Sequence, residues 1–535
     1  MGIPSYFSYI VKNHRSIIKV FNKNTIKINN LYLDCNSIIY DSIQEVEKII
    51  DNENYENYEN ILINIVCNKI SSYINLISPD TNVFIAFDGV APVAKLEQQR
   101  NRRYKSVFEE EILNKLIKKD CITKKWNTSA ITPGTNFMSK MSNKINKYFK
   151  NSNNFKVKKI IISSSQEIGE GEHKIYEFIR NNQEYHKKTT TVIYGLDADL
   201  IMLTLNHLHI APSMFLFRET PHFIKSIDNT LEPNKNYILD IPLFGKILSQ
   251  ELNNNKEPDT IQKKNRIFDY IFLCFLLGND FLPHFPALNI RTTGIDTILC
   301  VYKNVIGNSN ENIVNGSKII WKNFRKVIME LANTEEELLC NEYKIRDKQC
   351  KNIANRKMEE SERFVLLPML DRSVEKYINP YEKYWQERYY YKLFKIDVND
   401  NSRKQISINY LEGLEWTLKY YTTGCIDWRW NYNYSYPPLL YDLLKYIPYF
   451  DTNFINKNNN KAVNPLIQLS YVLPKKNLYL LPNNIKQTLL ENYKEIYTDT
   501  HKINWAFCKY FWESHIDFPY LSIYELENTI LPLCL

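Results

Sequence analysis

The stretch TTVIYGLDADLIML, residues 190–203, decides how the chain is built, because a short apolar run leads straight into two acids. Residues 190–200 have the β-branched and aromatic content of a buried strand. Three other runs have the same character: LYLDCNSIIY (31–40), NVFIAFDG (82–89) and KKIIISSS (158–165). All four runs predict strands that are buried on both faces.

Helical periodicity fills the segments around these runs, at residues 45–77, 94–119, 137–150 and 173–180. Strands that alternate with helices predict an α/β fold, with a mostly parallel central sheet flanked by helices on both faces. Such a sheet places its functional groups beyond the carboxyl ends of the strands.

Composition divides the 535 residues into three regions. Residues 1–300 hold the predicted sheet, residues 301–365 form a charged and mostly helical linker region, and residues 366–535 form a second, aromatic-rich and largely helical block. The tract DNENYENYEN at 51–60 is of low complexity and predicts a surface loop.

The overall composition excludes several classes of protein. Apolar residues make up 44% of the chain, which is typical of a globular protein. The longest apolar stretch, near residues 271–277, is far shorter than the roughly 20 residues of a membrane span. The ten cysteines form no C-x-x-C pair, and the N-terminal residues have no charged segment followed by an apolar core. We therefore expect no secretory leader, and free thiols in a soluble, intracellular protein. The net charge of +8 permits a polyanionic partner without requiring one.

Acidic residues stand at the end of every predicted strand and after one further apolar run. They are Asp34, Asp88, Glu170, Glu172, Asp197, Asp199 and Asp280. Each acid, taken alone, also suits a helix cap or the positive end of a helix dipole. Taken together they should converge, because parallel strands bring their carboxyl ends to one edge of the sheet.

Seven converging carboxylates need compensating positive charge. Two carboxylates about 4 Å apart repel by about 4 kcal/mol at an effective dielectric constant of 20. Among the motifs that carry the acids, Lys174 is the one basic side chain. Oxygen ligands select Mg²⁺ or Mn²⁺, and two such ions about 4 Å apart are a common device for phosphodiester hydrolysis. The acids therefore predict a divalent metal site with two ions.

A basic helix is predicted directly after Asp88, in GVAPVAKLEQQRNRRYKSVF. Lys95, Gln99 and Arg102 are spaced to share one helix face, and Arg103 adjoins them. Guanidinium groups beside a helix N-terminus suit a terminal phosphate. The alternative is a solvated basic face that pairs with nearby glutamates.

These phrases together resemble the 5′→3′ exoribonuclease family, the Xrn family. The matching phrases of the first block are MGIPSYF, LYLDCNSIIY, FDGVAPVAKLEQQRNRR, ITPGTNFM, GEGEHKI, YGLDADLIML, LFRE and FLCFLLGNDFLPH, and those of the second block are WQERYYYKLF, YLEGLEWTLKYYTTGCIDWRW and QLSYVLP. Their order is the order found in the family, and they extend over nearly the whole chain. The chain resembles a short form of the family that holds the two catalytic blocks alone.

The resemblance implies a nuclease core related to the PIN and flap-endonuclease group. It also implies Mg²⁺-dependent, processive removal of mononucleotides from single-stranded RNA with a 5′ monophosphate. The seven acids match the metal-binding and catalytic acids of the family, and Lys95, Gln99, Arg102 and Arg103 match its 5′-phosphate pocket. The resemblance implies decapped RNA as the substrate, which makes decapping machinery a partner. We also expect a monomer that acts in the cytoplasm. The bias toward Asn, Lys, Ile and Tyr suggests a viral or protist source, with host cytoplasm or a virion as the location.

The resemblance also implies a base-stacking pair, at positions where this sequence departs from the family. Tyr40 stands where the family has a stacking His, and an aromatic ring can replace it as a platform. Trp430 is the better match for the family's second stacking residue, with Trp428 as the competitor. The alternative for either tryptophan is core packing.

Three other functions compete with this interpretation. A flap-type structure-specific nuclease would use the same acids and metals but would not need the second block. A non-catalytic RNA-binding relative, or a structural protein with relic motifs, would be expected to lack some of the acids, and all seven are present.

Overall fold

The structure, a computed structural model, describes residues 2–49, 57–116, 126–220, 222–233, 235–396 and 398–534. In this part of the chain seven strands form the central sheet. They are β1 (Ile18–Val20), β2 (Asn30–Asp34), β3 (Asn82–Ala86), β4 (Lys159–Ser163), β5 (Thr191–Tyr194), β6 (Met214–Glu219) and β7 (Asn236–Asp240). Two small ribbons join β8 (Val314–Asn315) to β9 (Lys318–Ile319), and β10 (Lys502–Asn504) to β11 (His515–Asp517).

Helices surround the sheet and build most of the second half of the chain. Those of the first half are α1 (Tyr6–Asn13), α2 (Asn36–Ile49), α3 (Tyr58–Ile77), α4 (Val93–Leu116), α5 (Asn136–Tyr148), α6 (Gly171–Asn181), α7 (Gln183–His186), α8 (Asp199–His207), α9 (Ile241–Leu252) and α10 (Thr260–Cys274). Those of the second half are α11 (Gly294–Tyr302), α12 (Trp321–Asn333), α13 (Glu335–Ala354), α14 (Glu360–Val365), α15 (Leu367–Leu370), α16 (Ser373–Ile378), α17 (Trp385–Phe394), α18 (Asp400–Thr422), α19 (Leu440–Tyr446), α20 (Pro465–Val472), α21 (Asn483–Asn492) and α22 (Ile523–Ile530). None of the described helices combines the length and the apolar character needed to cross a bilayer.

The strands lie in the order β1-β7-β6-β5-β2-β3-β4. Strands β6, β5, β2, β3 and β4 are parallel to one another, and β7 runs antiparallel to both β6 and β1. Alternate side chains of the strands enter two different hydrophobic clusters, one on each face of the sheet. The predicted α/β fold with a mostly parallel, helix-covered sheet is therefore confirmed.

Two of the predicted strands are shorter than expected. β2 ends at Asp34, and the SIIY that follows lies in α2, where Ile38, Ile39 and Val46 are buried on one helix face. Similarly, β5 ends at Tyr194, and Asp199 begins α8. A short apolar run fits a strand and a buried helix face equally well, which explains the overestimate.

The tract at 51–60 differs in part from the predicted surface loop. Residues 51–56 lie outside the described residues, whereas Tyr58 is buried and begins α3. The predicted helix at 45–77 is represented by two helices, α2 and α3, and residues 117–119 of the helix predicted at 94–119 also lie outside the described residues.

The region at 301–365 packs on the main core. Trp321, Phe324, Val327, Ile328 and Leu331 repeat at helical spacing along α12 and are all buried. They share one hydrophobic cluster with residues of the sheet, of α10 and of α18. The region is mainly helical and also contains the β8–β9 ribbon, for which no strand was predicted. Its apolar side joins the first block to the second. The boundaries of the three predicted regions remain a proposal.

Candidate active site

The carboxyl ends of β2, β3 and β4 bring the first acids together with the start of α6. Asp34 is the last residue of β2, and Asp88 follows β3 by two residues. The backbone N–H of Gly171 donates to Asp88 Oδ1 at 2.7 Å. A Cβ atom at Gly171 would lie only 2.7 Å from Asp34 Oδ1. Glycine is therefore needed here, because α6 approaches both carboxylates closely.

Glu170 and Glu172 flank this glycine and point into the same space. One carboxylate oxygen of each, together with a ring nitrogen of His173, lie within 4.8 Å of one another. Glu170 Oε1 is 2.8 Å from Lys95 Nζ, and its Oε2 accepts a hydrogen bond of 2.9 Å from Tyr420 Oη. Both oxygens of Glu170 are therefore held by side chains from other elements.

The backbone at Gly2 contacts two further acids of the cluster, Asp280 and Asp199. Its N–H donates to Asp280 Oδ1 at 3.1 Å, and a Cβ atom at this position would overlap the Asp199 carboxylate. The charge of Asp197, the most exposed of the seven acids, acts on Asp34 and contributes to a raised pKa there. The structure thus brings all seven predicted acids into one cluster.

Burial and like charge raise the pKa values of several of these acids. Burial and the neighbouring charge of Asp88 raise the pKa of Asp34 well above its usual range. Burial and the charge of Asp280 raise the pKa of Asp199 to about 7. Burial, followed by the charge of Asp199, raises the pKa of Glu172. The cluster therefore resists full ionisation, as the sequence analysis predicted.

Lys95 supplies part of the compensating charge. Its ammonium group pairs with both Glu170 and Asp280. Burial alone would lower the pKa of Lys95, but the charges of Asp280 and Glu170 raise it well above its ordinary value. Lys95 is predicted from the sequence to belong to the phosphate pocket, and the structure places its charge among the acids. Lys174 forms no ion pair with the acids, because its ammonium donates to the carbonyls of Phe87 and Ser164, both at 2.8 Å, although its charge acts on Asp88.

Three buried carboxylate oxygens have no hydrogen-bond partner among the described residues: Asp34 Oδ1, Glu172 Oε2 and Asp199 Oδ1. An unpaired buried carboxylate oxygen is costly unless a cation neutralises it. Oxygen-rich donor sets of this kind suit Mg²⁺ and Mn²⁺. The residues present therefore fit a divalent metal centre.

The basic residues of α4 lie in different surroundings. Arg103 donates to Thr132 Oγ1 at 2.8 Å and to the carbonyl of Gln99 at 3.2 Å, and the hydroxyl of Tyr40 is one of the groups that act on its charge. Arg102 is exposed and borders a cavity of about 760 Å³ that Asp280 also lines. Burial, followed by the charge of Arg102, lowers the pKa of Arg103 to about 10, so the two guanidinium groups lie near each other.

The predicted base-stacking residues occupy different environments. Tyr40 is 38% exposed on α2. Trp430 is partly buried, and its ring stacks on Trp416 with the centroids 5.2 Å apart and an angle of 25° between the planes. The competitor, Trp428, accepts a hydrogen bond from the N–H of Val93 through its carbonyl oxygen, at the start of α4. The stacking role of Tyr40 and Trp430 remains a prediction.

Three side chains contact the acids without having been anticipated from the sequence. Asn36 Nδ2 donates to Asp88 Oδ2 at 2.6 Å, and Gln98 Nε2 donates to Asp280 Oδ1. Asn36 lies two residues after Asp34, and Gln98 lies about one helical turn after Lys95. Both positions could have been recognised from the sequence. The third, Tyr420, lies on α18 some 250 residues from Glu170, so no local pattern could have revealed its contact.

Nearly the whole chain is similar to known proteins. The sequence profile of the XRN 5′-3′ exonuclease N-terminus matches residues 1–220, and that of the Xrn1 helical domain matches residues 260–375 and 369–533. The 5′-3′ exoribonuclease 2 homolog of Drosophila melanogaster is 26% identical over 99% of this chain and 71% of its own length.

Two further relatives align with this chain over less than half of their own length. The 5′-3′ exoribonuclease 1 of Saccharomyces cerevisiae is 27% identical and aligns over 93% of this chain but only 41% of its own length. The 5′-3′ exoribonuclease 1 of Homo sapiens is 27% identical over 90% of this chain and 31% of its own length. The profile matches extend over both blocks and confirm the resemblance drawn from the motifs, and the chain therefore belongs to the Xrn family of 5′→3′ exoribonucleases.

Proposed function

We propose that this enzyme degrades single-stranded RNA that carries a 5′ monophosphate, removing one mononucleotide at a time and moving along the strand without release. The substrate end, the metal requirement and the processive action are the parts of this proposal that go beyond family membership. The observation that carries it is the convergence of seven acids at one edge of the sheet, directly beside the basic helix α4.

The acid cluster would hold two divalent ions. Asp34, Glu172 and Asp199 have the unpartnered oxygens that such ions need, and the other four acids complete the donor set. When bound, Mg²⁺ or Mn²⁺ would lower the pKa of the attacking water and stabilise the charge of the leaving oxygen. Lys95, held between Glu170 and Asp280, keeps positive charge at the position where the scissile phosphate would lie.

The 5′ end of the RNA would be recognised on α4. The guanidinium groups of Arg102 and Arg103, with the amide of Gln99, provide donors suited to a terminal phosphate. The distance between these donors and the acid cluster would set how far the RNA strand enters the site, so that each cleavage releases one nucleotide. Tyr40 and Trp430 would stack on the terminal base from the two blocks and hold it during the cut.

The proposal extends to the source of the substrate. RNA with a 5′ monophosphate arises when a cap is removed, so the enzyme would act on decapped RNA, as a monomer in the cytoplasm. Buried apolar residues of both blocks form one cluster in the single chain, so no second copy is needed to complete this core.

A two-label degradation assay tests the proposal. The enzyme is incubated with single-stranded RNA labelled at the 5′ or the 3′ end, with Mg²⁺ or with EDTA. We expect mononucleotides from the 5′ label at the earliest times, no intermediate lengths from the 3′ label, and no products in EDTA. A ladder of 3′-labelled intermediates would refute processivity, and equal degradation of 5′-triphosphate RNA would refute the phosphate specificity. Faster cleavage of flap DNA than of RNA would favour the flap-type alternative.

A further inference from the structure

We infer that Tyr420, on the second block, is a positioning residue for the metal centre, and that an aromatic stack joins it to the predicted base-stacking residue Trp430. The stack consists of Trp430, Trp416, Tyr420 and His173. This inference rests on the proposed metal-dependent function and names the part that the second block plays in it.

The hydrogen bond from Tyr420 to Glu170 is the first observation. Tyr420 Oη donates to Glu170 Oε2 at 2.9 Å, while Lys95 holds the other oxygen, Oε1. The tyrosine hydroxyl is the donor of this pair, because the carboxylate oxygen can only accept. A carboxylate fixed by donors from two different elements has little freedom to rotate, and partners of this kind orient metal ligands.

The ring of Tyr420 also packs against His173. The two ring centroids are 3.7 Å apart and the planes are inclined by 29°. Glu170 directly precedes α6, and His173 lies in the first turn of this helix. The hydroxyl of Tyr420 thus binds the residue before the helix, and its ring covers a residue of the first turn. One side chain thus restrains both the carboxylate of Glu170 and the first turn of α6.

Trp416 supports Tyr420 from behind. The two residues are one helical turn apart on α18, and their rings stack at 4.8 Å with an angle of 24°. Trp430 covers the other face of Trp416 at 5.2 Å. The ring of Phe281, next to Asp280, contacts both Trp416 and Tyr420 edge-on, at 5.0 and 5.4 Å.

The geometry therefore gives Trp430, the predicted base-stacking residue, and the metal ligands a common support. Trp416 is fully buried and its indole N–H donates to the carbonyl of Asp427 at 2.9 Å, which fixes the middle of the stack. A change at Tyr420 should disturb the metal ligands alone, whereas a change at Trp416 should disturb the metal ligands and Trp430 together.

Metal binding by the RNA-free protein tests the inference. Mn²⁺ affinity is measured by titration calorimetry on the full chain, for the native protein, Tyr420→Phe and Trp416→Phe. We expect Tyr420→Phe to bind Mn²⁺ about 10-fold more weakly, the lower end of the loss typical for partners of metal ligands. Its activity should recover at saturating Mn²⁺, and its KM for RNA should stay unchanged. Trp416→Phe should weaken Mn²⁺ binding and also raise the KM for RNA.

Tyr497→Phe is the matched control. Tyr497 is buried like Tyr420 and donates one hydrogen bond, to the carbonyl of Ser470 at 2.8 Å, in a different hydrophobic cluster. This variant should lose a similar hydrogen bond and keep native Mn²⁺ affinity. Mn²⁺ affinity of Tyr420→Phe equal to that of Tyr497→Phe overturns the inference. If circular dichroism reports that Tyr420→Phe is unfolded, native Mn²⁺ affinity in Trp416→Phe overturns it instead.

The two readouts separate this inference from the proposed function. A native protein that binds Mn²⁺ but leaves 5′-monophosphate RNA intact would refute the proposed function while the Tyr420 comparison still decides the inference. A native protein that degrades this RNA with Mn²⁺, combined with unaltered Mn²⁺ affinity in Tyr420→Phe, would refute the inference alone.

Discussion

At the scale of single residues, the buried acids lower the stability of the fold while they provide the groups proposed to bind metal. Burial and the charge of Asp280 raise the pKa of Asp199 to about 7, and Asp199 Oδ1 has no hydrogen-bond partner among the described residues. In the absence of metal such a group opposes folding, because it must be either desolvated with its charge or protonated. Strained charge clusters of this kind are typical of functional sites.

Replacement of one acid should therefore separate stability from activity. We expect Asp199→Asn to reduce the turnover of RNA by at least about 100-fold, as removal of a group that acts on transition-state charge commonly does. In EDTA at pH 8 the same variant should melt at a higher temperature than the native protein, because a repelling buried charge is gone. Thermal melting with EDTA and with Mg²⁺ measures this, and Asp451→Asn, at an exposed position outside the cluster, serves as the control. Native activity in Asp199→Asn would contradict the metal role.

The basic residues of α4 predict a selective effect. Arg102 is exposed toward the cavity that Asp280 lines, where it can reach a terminal phosphate. We expect Arg102→Ala to lower kcat/KM for 5′-monophosphate RNA by about 10-fold or more, the order expected for loss of a charge-assisted hydrogen bond of 1.5–3 kcal/mol. RNA with a 5′ hydroxyl should be degraded at a nearly unchanged rate. Equal losses on both substrates would remove Arg102 from the phosphate pocket.

At the scale of elements, a buried acid outside the site ties α10 to β8. Asp269 Oδ1 accepts hydrogen bonds from the backbone N–H groups of Ile313 and Val314, at 2.9 and 2.7 Å, and its Oδ2 accepts one from Tyr302 at 2.6 Å. Burial raises the pKa of Asp269 from 3.8 to about 7, although these hydrogen bonds lower it in part. The folded protein therefore holds this proton to a higher pH than the unfolded chain.

The sign of the pH dependence follows from this difference. The contribution of Asp269 to stability is complete below about pH 4 and is lost as the pH rises toward 7, because the unfolded chain releases the proton first. Asp269→Asn cannot release a proton there, and its amide oxygen can still accept the two backbone N–H groups. We expect the urea midpoint of Asp269→Asn to fall less than that of the native protein between pH 5 and pH 8. Parallel pH dependence in the two proteins would contradict the prediction.

At the scale of the whole molecule, the two blocks share a core. One hydrophobic cluster contains residues of the sheet, of α10 to α12, and of α18 and α19. A second cluster packs the start of α4 against residues 463–530. The first block has a cluster of its own on one face of the sheet. The cluster on the other face is completed by helices that come later in the chain.

A fragment of residues 1–300 should therefore fail to fold as an independent unit. We expect it to bind a hydrophobic dye and to unfold without a cooperative transition, because the surface covered by α12 and α18 is exposed. Circular dichroism melting of the fragment and of the full chain, purified in parallel, measures this. A sharp melting transition of the fragment near that of the full chain would instead support an independent first domain.

The sequence alone determined the sheet, the acids and the family. Buried strands that end on acids have only one way to place them in a parallel sheet, so the convergence of Asp34, Asp88 and Glu170 followed from periodicity and strand direction. The sequence did not determine how the cluster is compensated, since Lys95 reaches it from a helix whose face depends on packing.

Only the tertiary structure revealed the contribution of the second block. The contact between Tyr420 and Glu170 joins elements about 250 residues apart, and no pattern in either segment encodes it. The same is true of Trp416, which the fold places between Tyr420 and Trp430. Local patterns fix what a segment becomes, whereas contacts between distant segments depend on the packing of the whole chain.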